Sequence, residues 1–150
     1  MRGSVYSLNI SKKQGEKKKP VGECIFIENY GIQGDVHAGL IDTRQVSLLS
    51  WDRIKEKNGS LGKDYKLQPG DFAENITIEG IELIKLKIGD RLKIKDVILE
   101  VSQIGKKCHT ECEIYKQLGW CIMPKEGIFA RVIKGGKVKK NDEIEEIKNV

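Results

Sequence analysis

Short apolar runs separated by turn residues restrict how this chain folds more than any other feature. The runs are rich in β-branched residues and bounded by signals such as Gly89-Asp90, Lys95-Asp96, Gly135-Gly136 and Asn141-Asp142. The predicted strands are Arg2–Ile10, Val21–Glu28, Gln45–Leu49, Arg91–Ile94, Val97–Ile104, Gly127–Ile133 and Glu143–Ile147. Many short strands favour a mostly-β fold, a closed or nearly closed β-barrel with a few short helices, because closure removes exposed sheet edges.

Helical patterns are few. Ser50 to Lys57 predicts one helix, with Ser50 as its N-cap and Gly59 after its end. Residues 111–118 predict a second, with Thr110 and Glu113 at the spacing of a capping box.

The stretch from Asn58 to Ile78 is rich in glycine and polar residues and predicts a long loop. It contains the segment PGDFAENITIEG, whose spaced apolar residues indicate that it packs against the domain. We interpret this loop as one wall of a site.

The length of 150 residues predicts a single domain spanning 1–150. The sequence contains neither an apolar run long enough to span a membrane nor a signal-peptide core, so we expect a cytoplasmic protein whose thiols stay reduced. The four cysteines then indicate chemistry, metal binding or packing before they indicate disulfides.

The net charge of +5 is concentrated in the segment SKKQGEKKKP, and the rest of the chain is near neutral. Its five lysines are Lys12, Lys13, Lys17, Lys18 and Lys19. Such a stretch is typical of a solvated hairpin tip or linker, although it could also attract phosphate or nucleic acid. Aromatic residues are only 6% and are not interleaved with the lysines, so nucleic-acid binding is not favoured.

Cys108 lies in the segment IGKKCHTECEIYKQLG, just before the second predicted helix. The first-turn N–H groups of that helix, with Lys106 and Lys107, favour an anion such as a thiolate, while Glu111 and Glu113 oppose it. We therefore expect a lowered pKa for the Cys108 thiol; the alternative is a buried structural cysteine. Cys24 lies in the apolar run CIFI, where burial should raise its pKa.

Several islands of sequence are more distinctive than a barrel scaffold requires. They are GDVHAG (34–39), RQVSLL (44–49), PGDFAENITIEGIEL (69–83), IGD (88–90), IGKKCH (104–109) and GIFARVIKGG (127–136). Together, in this order, they resemble the MOSC family, the C-terminal domain of molybdenum cofactor sulfurases, which also occurs as stand-alone proteins. The resemblance implies a barrel related to that of pyruvate kinase, involvement with the molybdenum cofactor (molybdopterin), and a sulfur-carrying cysteine that aligns with Cys108.

The chain departs from the family pattern at three points. Ala73 stands in FAEN where the family usually has glycine, which costs little only if the backbone φ is negative. Cys112 and Cys121 are additional cysteines near the site. The desulfurase domain of the large sulfurases is missing, so pyridoxal phosphate is not expected on this chain.

The candidate site residues come from these islands. Cys108 and His109 are the candidate catalytic pair, although His109 could merely cap a turn. The candidate cofactor-binding residues, expected to converge with Cys108 on one cleft, are His37, Arg44, Glu74, Asn75, Lys106 and Arg131. Alternatives stay open: His37 could satisfy a turn, Glu74 and Asn75 could bond loop backbone, and Arg131 could be paired or point outward.

The leading interpretation is a sulfur carrier or transfer protein that acts on the molybdenum cofactor or its maturation. Its partners would be the cofactor or its biosynthetic proteins, with a separate cysteine desulfurase as sulfur donor. The resemblance also allows a cofactor-binding reductase of N-hydroxylated compounds, with Cys108 as a molybdenum ligand. A third interpretation is a non-catalytic module that binds a pterin, zinc or nucleic acid.

The cysteines near Cys108 leave two further alternatives open. Cys108, His109, Cys112 and Cys121 could hold zinc. Cys108 and Cys112 could instead form a redox-active disulfide.

Overall fold

A computed structural model describes residues 1–58, 66–106 and 122–148. The fold is mostly β and its strands close into a barrel, as predicted from the sequence. The strands are β1 (Arg2–Ile10), β2 (Lys19–Val21), β3 (Glu23–Ile27), β4 (Gly31–Ile32), β5 (Val46–Ser50), β6 (Ile76–Glu79), β7 (Arg91–Ile94), β8 (Val97–Ile104), β9 (Ile128–Lys134), β10 (Gly136–Lys139) and β11 (Glu143–Ile147). The helices are α1 (Trp51–Asn58) and α2 (Met123–Glu126), with single 3-10 turns at Asp42–Arg44 and Leu83–Lys85.

The barrel runs in the order β11-β7-β8-β9-β5-β6-β1 and closes where β11 pairs with β1. At this seam Gly3 is opposite Ile144 in an antiparallel register. Strand β2 extends the far half of β1 beyond the barrel, and β10, β3 and β4 form a small second sheet. Strand β6 runs parallel to β5, and α1 lies in the connection between them.

The core has two parts, and β5 separates them. Leu48 faces the barrel interior and packs in the larger cluster, while Leu49 faces the smaller cluster that contains Phe72 and Phe129. Successive side chains of a strand point to opposite faces, so both faces of β5 are covered. This explains why every residue of the strand is buried.

Strand β1 contains an irregularity between Val5 and Ser7. Val5 and Leu8 are three residues apart, yet both are fully buried in the barrel core. A bulge inserts one extra residue into a strand and so shifts its inward positions by one. The imperfect alternation of this strand in the sequence therefore has a structural cause.

Four strands were not predicted as separate elements, namely β2, β4, β6 and β10. The predicted strand Val21–Glu28 begins at the end of β2 and, after Gly22, contains β3. The short strands β4 and β10 were missed. The largest correction concerns Asn58 to Ile78, which was predicted as a loop: its last residues begin β6, a barrel strand whose Ile76 and Ile78 are fully buried.

The first predicted helix is confirmed as α1. The backbone N–H of Arg53 donates to the Ser50 hydroxyl at 3.3 Å, which is the predicted N-cap bond. The helix predicted over 111–118 lies outside the described residues. No helix in the described ranges combines the length and the apolar character needed to cross a membrane.

Candidate functional site

Lys18 is the centre of a buried polar cluster at the start of β2. Its side chain is fully buried, and its Nζ lies 3.0 Å from the Ser11 hydroxyl, 2.7 Å from Asp35 Oδ1 and 2.8 Å from His37 Nδ1. Burial lowers the pKa of Lys18, while its hydrogen bond and ion pair with Asp35 and the charge of Glu74 oppose that shift. The cluster thus keeps a cation inside the protein by surrounding it with acceptors.

The position of Lys18 corrects the interpretation of the lysine stretch. Lys12, Lys13 and Lys19 are exposed, as a solvated hairpin requires. Lys18 points inward instead, because its backbone N–H bonds to Gly70 O at 2.8 Å and fixes the chain against the loop. A Cβ on Gly70 would lie 2.1 Å from the Lys18 carbonyl oxygen, and Gly70 has a φ of +88°, so this close approach requires glycine.

The GDVHAG segment forms a turn that carries Asp35 and His37 into this cluster. Asp35 Oδ1 accepts from the Ser11 N–H at 3.1 Å, and Oδ2 accepts from the His37 N–H at 3.2 Å. The Val36 N–H also bonds to Ser11 O at 2.9 Å. One carboxylate therefore holds the turn, the end of β1 and the Lys18 ammonium together.

His37 is partly exposed and lies among positive charges. Burial lowers its pKa most, and the charges of Lys18, Lys106 and Arg44 lower it further, to about 4, while Asp35 opposes them. His37 is therefore neutral near pH 7. The charges of Lys106 and Arg44 therefore lie close enough to His37 to act on its pKa.

Gln103, near the end of β8, connects the 3-10 turn at Asp42–Arg44 with Gly105. Its Oε1 accepts from the Thr43 hydroxyl at 2.9 Å and from Arg44 Nε at 3.2 Å, and its Nε2 donates to Gly105 O at 2.9 Å. The Arg44 guanidinium also lies over the Phe129 ring at 5.7 Å. Arg44 is thus oriented by both a strand of the barrel and an aromatic side chain.

Arg131 lies on β9 next to the 3-10 turn at Asp42–Arg44. Its Nε and Nη2 lie 2.9 and 2.8 Å from Asp42 Oδ2, and about a third of its side chain is exposed. Of the alternatives left open from the sequence, the structure shows pairing. This pairing leaves the guanidinium partly accessible at the edge of the region that contains Arg44.

A pair of hydrogen bonds fixes the two ends of the chain segment that contains Cys108. Gly105 N bonds to Gly127 O at 2.7 Å, and Lys106 N bonds to Pro124 O at 3.1 Å. We call these four residues, Gly105, Lys106, Pro124 and Gly127, the neck. Residues 107–121, including Cys108, His109, Cys112 and Cys121, lie outside the described residues, so the predictions for them stay predictions.

Glu74 is fully buried directly behind this site. Its carboxylate accepts from Gly70 N at 3.1 Å, Phe72 N at 3.3 Å and the Thr77 hydroxyl at 2.7 Å. Burial raises the pKa of Glu74, and these hydrogen bonds oppose the shift. Of the two interpretations left open from the sequence, the geometry favours bonding to the loop backbone.

Asn75 has a similar environment. Its side chain accepts from Ser47 N at 3.0 Å and donates to Asn9 O at 3.2 Å, and only 1% of the residue is exposed. Asn75 and Glu74 therefore shape the loop that packs against Lys18, and their direct contact with a cofactor stays a prediction. Ala73, which precedes Glu74 in FAEN, has a φ of 62°. In this left-handed conformation a side-chain methyl group is energetically costly.

Cys24 differs from a reactive thiol. It is 6% exposed, and burial, with smaller effects of Asp35 and Glu23, raises its pKa to about 11. The prediction made for this cysteine from the apolar run CIFI is thus confirmed. Within the described part of the chain, no group of three or more histidine, cysteine, aspartate or glutamate side chains is arranged to hold a metal ion.

Sequence reasoning missed three residues of the site. Asp35 lies inside the GDVHAG island and could have been found there. Lys18 was hidden in a run of lysines, and Gln103 carries no motif. Their roles depend on contacts between segments far apart in sequence, such as Lys18 with Asp35 and Gln103 with Arg44.

Comparison with known families places this chain in a family. The MOSC domain pattern matches residues 33–145, which is most of the chain. This protein belongs to the MOSC family. The matched region includes five of the candidate positions whose surroundings are described above, namely His37, Arg44, Glu74, Asn75 and Arg131, together with Lys106 in the neck.

Solved structures of three bacterial proteins share the fold of this chain. The YuaD protein from Bacillus subtilis superimposes with a TM-score of 0.78 at 20% identity, covering 96% of this chain and 94% of that one. YiiM from Geobacillus stearothermophilus gives 0.74 at 18% identity, covering 97% and 75%. YiiM from Escherichia coli gives 0.64 at 20% identity, covering 100% and 71%. No curated protein sequence matches this chain.

Proposed function

We propose that this MOSC protein is a sulfur carrier that acts on the molybdenum cofactor or during its maturation, with Cys108 as the carrier. The observation that supports the proposal is the set of positive and donor groups around His37. Lys106 and Arg44 act electrostatically on His37, and Lys18 contacts it directly. A phosphate-bearing pterin is an anion that such a set would attract.

The sequence supplies the thiol beside these groups. Cys108 follows Lys106 by two residues, and two residues of chain reach at most about 7 Å. Lys106 is held at the neck by its bond to Pro124 O. The carrier thiol is therefore covalently tied to a residue that belongs to the anion-attracting region.

The loading step is a thiol exchange. The Cys108 thiolate attacks the outer sulfur of a donor persulfide, a new S–S bond forms, and the donor cysteine leaves as its thiolate. The proposed donor is a cysteine desulfurase, which forms such a persulfide from cysteine. Release of the carried sulfur as sulfide takes two electrons, which a thiol reductant supplies.

Mass spectrometry tests this function. Incubation with a cysteine desulfurase and cysteine should add the mass of one sulfur atom to the peptide that contains Cys108. Cys108→Ser should abolish loading, because a serine hydroxyl stays protonated near neutral pH and forms no persulfide. Cys24→Ser is the matched control and should load like the wild type, since the Cys24 thiol is buried with a raised pKa. Undiminished loading of Cys108→Ser would contradict the proposal.

The same set of charges also suits a resident cofactor, which supports a second candidate function. In that case the protein is a reductase of N-hydroxylated compounds, and Cys108 is a molybdenum ligand. Elemental analysis of the purified protein separates the two functions: stoichiometric molybdenum, with pterin fluorescence after oxidation, indicates the reductase. Stoichiometric zinc would instead support a metal site at the cysteines near Cys108.

A further inference from the structure

We propose that Lys18 is a positioning residue that holds His37 as the neutral tautomer protonated on Nε2. The imidazole then presents a fixed N–H donor to an oxygen atom of an anionic ligand. The identity of that ligand rests on the function proposed above, whereas the tautomer follows from the contacts of Lys18 alone.

The hydrogen bonds of Lys18 determine the direction of its contact with His37. A lysine ammonium has three donors and no acceptor. Its three neighbours within 3.0 Å are the Ser11 hydroxyl, Asp35 Oδ1 and His37 Nδ1. The Ser11 hydroxyl can accept, because its own proton is donated to Lys13 O at 3.3 Å. Each donor therefore has one acceptor, and Nδ1 must be an unprotonated ring nitrogen.

Asp35 keeps Lys18 in its charged form. The Asp35 side chain is 1% exposed, and its Oδ1 lies 2.7 Å from Lys18 Nζ. Both Asp35 oxygens also accept backbone N–H groups, from Ser11 and His37. A buried carboxylate needs the ammonium beside it. A neutral Lys18 would leave this charge unpaired.

The remaining ring nitrogen faces a different environment. With Nδ1 used by Lys18, the neutral imidazole carries its proton on Nε2. Among the described residues none bonds to Nε2, and 35% of the His37 side chain is exposed. An N–H group is thus left to donate at the accessible side of the ring.

The charges around His37 define the class of ligand. The charged groups acting on the ring are Lys18, Asp35, Lys106 and Arg44. Asp35 is neutralised by Lys18, so Lys106 and Arg44 contribute net positive charge. An N–H donor beside two cations suits an oxyanion such as phosphate. Since the pKa of His37 is about 4, its donor should keep the same form from about pH 5 to pH 8.

Nuclear magnetic resonance of protein labelled with ¹⁵N-histidine tests the tautomer. The chain has two histidines, and His109→Gln identifies the His37 signals by removing the others. We expect wild-type His37 to carry its proton on Nε2 alone and to titrate with a midpoint near 4. A proton on Nδ1, a mixture of tautomers, or a midpoint near the ordinary value of about 6.5 would overturn the proposal.

Substitution of Lys18 tests the cause. In Lys18→Met the His37 midpoint should move up toward about 6.5 and the two tautomers should mix. Lys18→Met combined with Asp35→Asn keeps the cluster neutral if the single variant fails to fold. It should show the same mixing of tautomers, but its midpoint should stay below the ordinary value because burial, the largest cause of the lowered pKa, remains. Lys19→Met removes an equal charge from an exposed neighbour and should leave the His37 signals unchanged. Unchanged signals in a folded Lys18 variant would overturn the role of Lys18.

Inorganic phosphate tests the ligand class separately. Titration into the wild type should shift the His37 Nε2–H signal at both pH 5.5 and pH 7.5. A signal that phosphate leaves unmoved would overturn the anion site, even if the tautomer is as proposed. Sulfur loading of Cys108 is measured independently, so failure of the function proposed above can be told from failure of this inference.

Discussion

Asn75 illustrates how single side chains stabilise the loop behind the site. It accepts from Ser47 N and donates to Asn9 O, and both partners are buried. Asn75→Ala would leave those two backbone groups without partners, and we expect a loss of about 2–4 kcal/mol in the free energy of unfolding. Urea denaturation measures this loss. Gln14→Ala, at an exposed position, should change stability by no more than about 0.5 kcal/mol; an equally small effect at Asn75 would refute its structural role.

Individual residues also show where sequence reasoning succeeds and where it stops. His37 and Arg44 were recognisable because each lies in a short distinctive segment. Lys18 was not, because burial of one of the five lysines in SKKQGEKKKP depends on Asp35, 17 residues away in the sequence. The local sequence shows the type of a residue and its neighbours along the chain. The partner of a buried charge is determined by the tertiary fold.

At the scale of elements, the junction between β5 and α1 depends on a single hydroxyl group. Ser50 ends the strand and caps the helix through the Arg53 N–H. Ser50→Ala removes this acceptor and should lower the free energy of unfolding by about 1 kcal/mol. Ser50→Thr keeps the hydroxyl and should retain more of that stability in thermal denaturation. Equal losses in the two variants would show that packing, and not capping, decides this position.

Strand prediction worked best where the apolar pattern is regular and bounded by turns. The strands β7, β8 and β11 have the predicted bounds, as does β1 in spite of its imperfect alternation. Strand β6 was missed because its four residues follow the segment PGDFAEN and were interpreted with it as a single loop. Its partners β5 and β1 come from distant parts of the chain, so the evidence that ITIE is a strand lies in the barrel and not in the segment itself.

For the whole molecule, closure of the barrel brings the last strand, β11, against the first strand, β1. Ile144 on β11 is fully buried opposite Gly3, although the two are nearly a chain length apart. Ile144→Ala should cost about 2–5 kcal/mol in the free energy of unfolding. The matched control is Ile88→Ala, because Ile88 is 67% exposed, and its loss should be about 0.5 kcal/mol or less. Similar losses at both positions, measured by urea denaturation, would contradict a seam that stabilises the barrel.

The neck joins the two ends of the chain segment that contains Cys108. Its two backbone hydrogen bonds join residues 105–106 to residues 124 and 127, so the barrel is complete on either side of the segment between them. A segment whose ends are fixed together is free to change in length and composition without disturbing the strands it leaves and re-enters. The barrel can therefore stay constant in evolution, and related proteins can acquire new chemistry by changing the one segment between the two sides of the neck.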